Sequence, residues 1–212
     1  FYVLSDSKDL TFNPRIYSDT DFILQSEYRQ AFEKSDLIAD FSFNQNESNT
    51  NTHAFLDLKG EFNEKVSYDI QFQNVTNDNY LKIHDFKGIM DTNILMEGIN
   101  SSSLTSYITI DNDIDEDTNL NTSIRMYEDL TVTNDNDKYQ YIFPQFNFVK
   151  DIDLEDYYHG NFKFTSSGYQ KNYNTNVYEA QINNDFSFTS YDYFTNTGLV
   201  SNYNILLKNY NT

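Results

Sequence analysis

The sequence predicts an all-β chain, an antiparallel up-and-down meander that forms part of a larger transmembrane β-barrel. Three observations predict it. Apolar and polar side chains alternate with period two along almost the whole chain, and helical periodicity never lasts more than a turn or two. The mean hydropathy of −0.69 would suit a soluble or disordered chain, yet 17% of the residues are aromatic, and disordered chains are poor in aromatics. The connections alternate between tight turns and longer Asn- and Asp-rich stretches, the pattern of a barrel with short turns at one rim. A transmembrane barrel reconciles polarity with aromatic content, because half of each strand's residues face a wet lumen.

The elements follow in order. LTFNPRIY (residues 10–17) alternates as a half-buried strand but carries Pro14, which has no N–H to give a ladder. A strand holding proline is expected at a sheet edge or locally unpaired. In FILQSEYRQAF (22–32), Phe22, Leu24, Tyr28 and Phe32 share one face, and Gln25, Glu27, Arg29 and Ala31 share the other. DLIADFSFNQ sets Leu37, Ala39, Phe41 and Phe43 against Asp40, Ser42 and Asn44, and HAFLDLKG sets Ala54, Leu56 and Leu58 against His53, Asp57 and Lys59. KVSYDIQFQN then sets Val66, Tyr68, Ile70 and Phe72 against Ser67, Asp69, Gln71 and Gln73. Gln25, Glu27, Arg29, Asp57, Asp69 and Gln71 are therefore the candidates to face a lumen. These runs approach the roughly 9–11 residues that a tilted strand needs to cross a bilayer.

Further runs repeat the pattern at 104–110, 121–132, 138–148, 161–167, 177–191 and 198–210, giving roughly a dozen strands in sequence. EKS (33–35) and GEFNE (60–64) read as tight turns, whereas NESNTN (46–51) and the stretch from Thr76 to Lys87 read as longer loops. Tyr17, Phe32, Tyr80 and Tyr139, near strand ends, are candidates for an interfacial aromatic girdle, or equally for the core of an aromatic-rich soluble sandwich. The second proline, Pro144, lies inside YIFPQFNF and is expected at a bulge or strand end. No Pro-, Gly- or Ser-rich linker divides residues 1–212, so they read as a single domain or part of one. The chain begins at Phe1 without methionine or a basic-then-apolar leader, and so reads as a segment of a longer protein.

Composition narrows the chemistry. A net charge of −19 argues against nucleic acid and anionic headgroups as general partners, since both need clustered Lys and Arg. With no cysteine there is neither disulfide nor thiolate chemistry within these residues. DNDIDED (111–117) opens with the Asp spacing of a helix-loop-helix calcium loop, but Glu116 stands where that loop needs glycine and Thr122 where it needs glutamate, so it is expected to be a solvated loop. His53, His84 and His159 lack the close spacings of zinc ligands and are expected at strand ends or in loops. There is no GxSxG elbow, although a Ser-His-Asp set assembled in space stays open. No metal and no cofactor is expected.

Particular residues carry a family resemblance. Asp9-Leu10-Thr11-Phe12-Asn13-Pro14, followed by a strand containing Glu27-Tyr28-Arg29, resembles the start of the barrel in the lipopolysaccharide-assembly protein family LptD. Asn77-Asp78-Asn79-Tyr80-Leu81 is similar to that family's loop after the fifth strand, and Phe143-Pro144-Gln145-Phe146 is similar to its Leu-Pro-x-Leu strand, all in the family's order. Ser5, Asp6, Asp21 and the acidic run near Asp111 depart from its pattern. The resemblance implies the N-terminal part of a translocon barrel in the outer membrane of a Gram-negative bacterium. It implies that the barrel takes lipopolysaccharide from periplasmic bridge proteins, holds an LptE-like plug lipoprotein in its lumen, and releases the lipid through a lateral gate. It implies no catalysed reaction. Asp9, Thr11 and Pro14 become the lateral-gate candidates. A missing ladder bond would weaken a seam by about 0.5–1.5 kcal/mol. Two other classes remain open on residues alone: another large outer-membrane barrel such as a porin or receptor, and a soluble extracellular β-rich module binding carbohydrate or calcium.

Overall fold

A computed structural model of the chain describes residues 1–16, 22–45, 50–84, 86, 102–132, 138–153, 159–175 and 177–212. Twelve strands form one antiparallel sheet: β1 (Tyr2–Ser5), β2 (Lys8–Ile16), β3 (Phe22–Ala31), β4 (Ser35–Gln45), β5 (Thr50–Asn63), β6 (Val66–Val75), β7 (Ser103–Asp115), β8 (Thr118–Asp129), β9 (Tyr139–Asp153), β10 (Gly160–Tyr173), β11 (Tyr178–Ser190) and β14 (Asn204–Asn211). Each pairs with its sequence neighbours, and the end strands β1 and β14 are not paired to one another. Between β11 and β14 a separate hairpin joins β12 (Tyr193–Phe194) to β13 (Val200–Ser201). The one described helix, α1 (Tyr80–His84), lies in the connection from β6 to β7.

Side-chain chemistry closes the short turns. Asn63 Oδ1 accepts the Lys65 and Val66 N–H groups at 2.8 and 3.0 Å, and Asp115 Oδ1 accepts the Asp117 N–H at 3.0 Å, both Asx-type closures. These turns, with Asp6–Ser7 and residues 32–34, sit at one end of the sheet, where Ser35 pairs with Gly60 and Val66 with Asn112. The connection that follows β6 leaves from the other end, where the Thr76 N–H donates to the Thr52 carbonyl at 3.0 Å. GEFN belongs to β5 rather than to a turn, and the acidic run is strand as far as Asp115 rather than a loop, because cross-strand pairing with β6 and β8 extends through both. Residues 46–49 and Tyr17 lie outside the described residues.

The two faces of the sheet are inverted relative to a water-soluble sandwich. Phe12, Phe41, Phe43, Phe72, Ile108 and Phe186 are exposed, whereas Gln25, Glu27, Asp40, Ser42, His53 and Asp57 are buried. Register enforces this. Leu24↔Phe43, Ala39↔Leu56, Leu58↔Ile70 and Ile70↔Ile108 align the apolar sets strand by strand, so a single-residue slip would exchange the faces of an entire strand.

The prolines separate. β1 pairs with β2 only through Lys8, Asp9 and Leu10, so Thr11–Ile16 has a strand on one side alone among the described residues. The proline-bearing strand is second in the sheet rather than first, but half of it is edge. Ala31 N–H donates to Ser7 O at 2.8 Å, which makes the odd-numbered residues of β2 the ones bonded to β3. Pro14, even-numbered and opposite Leu24, therefore turns its ring nitrogen to the open side. Pro144 follows a cis Phe143–Pro144 peptide at a bulge, where pairing skips between Ser123 and Arg125 on β8 and between Tyr169 and Lys171 on β10.

Candidate functional site

The inner face gathers its polar groups beneath the segment that follows β6. An Asx turn launches that segment: Asn77 Oδ1 accepts the Asn79 N–H at 2.9 Å and its carbonyl accepts the Tyr80 N–H at 3.0 Å. α1 then lies against the sheet, and Tyr80, Leu81 and Phe86 are buried with Ile23, Phe55, Val75, Leu104 and Leu130. Each such side chain contributes about 1.5–3 kcal/mol of docking by leaving water. The Phe86 ring lies 4.9 Å from His53 and 5.0 Å from Tyr80, and the Arg15 guanidinium sits 5.3 Å from the centre of the same ring. Arg15 also donates to the His84 carbonyl at 2.8 Å.

Under that cap runs a fully buried hydrogen-bond chain. Gln25 Nε2 donates to both Asp40 oxygens, at 3.2 and 2.9 Å, and His53 Nε2 lies 2.9 Å from Asp40 Oδ1. His53 Nδ1 is 2.6 Å from Ser42 Oγ, which is 2.9 Å from the Tyr80 hydroxyl. Register produces the chain, because Ser42 stands directly opposite both Gln25 and His53. Burial pushes the Tyr80 hydroxyl above its ordinary range, with the Ser42 hydrogen bond and the Arg15 charge opposing.

Ser42, His53 and Asp40 thus meet as hydroxyl, imidazole and carboxylate, but they are not arranged for acyl transfer. The hydroxyl sits on Nδ1 and the carboxylate on Nε2, the reverse of the usual triad. Ser42 is 3% exposed beneath the cap, and the backbone N–H groups around it are committed to the ladder. The arrangement suits a tie that fixes Tyr80, and with it the cap, to the wall.

A second tie holds the start of the segment. Lys138 Nζ reaches Asp78 at 2.8 Å and Glu128 at 3.2 Å. Burial disfavours its charge, but the hydrogen bonds and charges of both carboxylates outweigh that and hold its pKa above the ordinary range.

The residues singled out from sequence fall as follows. Gln25, Glu27 and Asp57 are buried on the inner face, and Arg29, Asp69 and Gln71 are half-buried there. Asp9, Thr11 and Pro14 all lie on β2. Asp9 accepts Arg29 Nε at 3.1 Å and Nη2 at 2.9 Å, Thr11 is buried, and Pro14 is at the open edge. His53 was expected at a strand end or loop; it lies near the start of β5, the fourth of its fourteen residues, and is buried at the hub of the polar chain. Tyr80 belongs to the inner cluster rather than to a girdle. Period-two alternation placed His53, Asp40 and Ser42 on the polar side, and only cross-strand register shows them in contact. Along the acidic run, Asn119 Nδ2 donates to Asp111 at 2.6 Å and to Asp113 at 2.9 Å, and no group of three potential metal ligands occurs among the described residues. No protein-family model matches the chain, and no curated protein matches it.

Proposed function

We propose that the chain is an arc of the wall of an outer-membrane β-barrel and that the seam at β2 serves lateral release of lipopolysaccharide. The observation that carries the first part is the inversion of the sheet. A meander with an exposed apolar face and a buried polar face is mismatched to water and suited to lipid outside with a hydrated lumen inside. The second part rests on the ordered family-like motifs and on Pro14, whose missing donor faces the unpaired half of β2. There a closing strand would find one bond fewer. An LptE-like lipoprotein in the lumen and a periplasmic bridge that delivers lipopolysaccharide complete the proposal.

The abundance of carboxylates favours a second reading. Asp plus Glu number 33 against 14 Lys plus Arg, and Glu27, Asp40, Asp57 and Asp69 lie on the inner face, which suits passage of cationic or neutral solutes through a porin-like or receptor-like barrel. One experiment separates the two. Cysteines are placed at Phe12 and on the strand that closes the complete barrel, and are oxidised in cells. Blocked delivery of lipopolysaccharide to the surface supports the gate. Normal surface lipopolysaccharide after complete crosslinking refutes it and leaves the solute-conducting barrel. Migration of the full-length protein that does not change on heating in detergent would refute both.

A further inference from the structure

The connection from β11 to β14, residues 191–203, differs from the short turns described at its end of the sheet. The four two- or three-residue turns described at that end are charged: Asp6, Glu33 with Lys34, Glu64 with Lys65, and Glu116 with Asp117. This one is long, folds into its own two-stranded hairpin, and carries a single charged residue, Asp192, which accepts a hydrogen bond from Asn202 Nδ2 at 2.8 Å. The hairpin is well defined. Tyr193 pairs with Ser201 and Phe194 with Val200, Thr195 N–H donates to the Leu199 carbonyl at 2.8 Å, and Gly198 takes the left-handed φ of 81° that the turn requires. Yet its apolar side chains are open: Tyr193, Phe194 and Leu199 are 69, 68 and 66% exposed.

An ordered hairpin that displays aromatics and aliphatics to water, while the short turns described at the same end carry charged residues, is built to be covered. What covers it follows from its base. The Tyr203 ring lies 5.7 Å from Phe188, which is paired with Phe162 on the face that also presents Phe186. The hairpin therefore continues the outer apolar belt past the end of the strands. Tyrosine and phenylalanine just beyond the belt are the side chains that settle at headgroup level, with an apolar ring and, for tyrosine, a polar tip.

We propose that the β12–β13 hairpin is an interfacial anchor seated in the headgroup layer of the leaflet at the short-turn end of the wall. This rests on the barrel-wall reading. It adds an asymmetric hold, on one leaflet and at one arc, beside the open edge of β14.

The test uses the full-length protein, with single cysteines introduced into the cysteine-free segment, labelled with an environment-sensitive fluorophore and reconstituted in phosphatidylcholine vesicles carrying nitroxide lipids. Phe194→Cys and Val200→Cys probe the hairpin, Phe186→Cys the belt, and Glu64→Cys a neighbouring turn. The expected result is blue-shifted hairpin emission that shallow nitroxides quench several-fold more than deep ones, with the belt probe quenched by deep nitroxides and the Glu64 probe by neither. Hairpin probes as wet as Glu64→Cys while the belt probe is quenched would overturn the anchor and leave the barrel standing. Blue-shifted hairpin probes that no lipid quenches would also overturn it, in favour of a protein partner. A belt probe untouched by lipid would overturn the barrel reading and the anchor with it.

Discussion

Removing Tyr80 in two steps separates what holds the inward-folded segment to the wall. Its ring is 1% exposed and packs against Phe86 and His53, and its hydroxyl meets Ser42 at 2.9 Å. Tyr80→Phe deletes only the hydroxyl, and Ser42 keeps its partner in His53, so the loss is about 0.5–1.5 kcal/mol net. Tyr80→Ala removes the ring as well and costs about 3–5 kcal/mol. The assay is hydrogen exchange of the full-length protein at the Ile83 amide, which donates to the Asn79 carbonyl at 2.9 Å while α1 is formed. With each 1.36 kcal/mol worth a factor of ten, exchange should quicken about 2- to 13-fold in Tyr80→Phe and about 160- to 5,000-fold in Tyr80→Ala. Amides in β4 and β5 should keep most of their protection. Unchanged exchange in Tyr80→Ala would refute docking of the segment. Equal effects of the two substitutions would refute the claim that burial outweighs the hydrogen bond.

The same residue sets a pH dependence. Because the hydroxyl is raised above its ordinary 10.0 when docked, that contribution is intact below pH about 10 and is lost as pH climbs through the raised value. Exchange at Ile83 should therefore accelerate beyond alkaline pH in the wild type more than in Tyr80→Phe, once the intrinsic rate is corrected. Lys138→Gln strands the buried Glu128 and releases Asp78, and should cost about 1–3 kcal/mol in thermal or denaturant unfolding of the full-length protein. Adding Glu128→Gln should recover part of it, and a double variant as weak as the sum of the two singles would show that the pair is not coupled. Pro14→Ala restores a donor on the open side of β2. It should strengthen the seam by about 0.5–1.5 kcal/mol and slow the appearance of new surface lipopolysaccharide, whereas unaltered export kinetics would count against a gate at this edge.

Much of the wall is legible in the residues themselves. Period-two alternation identified the strands from β2 to β9 and assigned Gln25, Glu27, Asp57 and Asp69 to the polar face, since side chains on a strand must point alternately to opposite sides. The ends of elements were less legible. GEFN and the acidic run look like turns because Gly, Asn and Asp favour turns, but cross-strand pairing extends β5 to Asn63 and β7 to Asp115. Of the β12–β13 hairpin, β12 fell between the runs 177–191 and 198–210 and β13 was absorbed into the second, because the hairpin's few apolar residues carry no alternation of their own. The sequence by itself determined that this chain is a succession of two-faced antiparallel strands, and that two of them carry a proline, which cannot donate to a ladder. Only the tertiary structure decided that the polar face is the buried one, that His53 joins Asp40 to Ser42 beneath Tyr80, and that Pro14 turns its donorless nitrogen to the open half of β2. Alternation is a property of one strand, whereas which face is covered, and what meets across it, depends on register and on the inward fold of a distant segment.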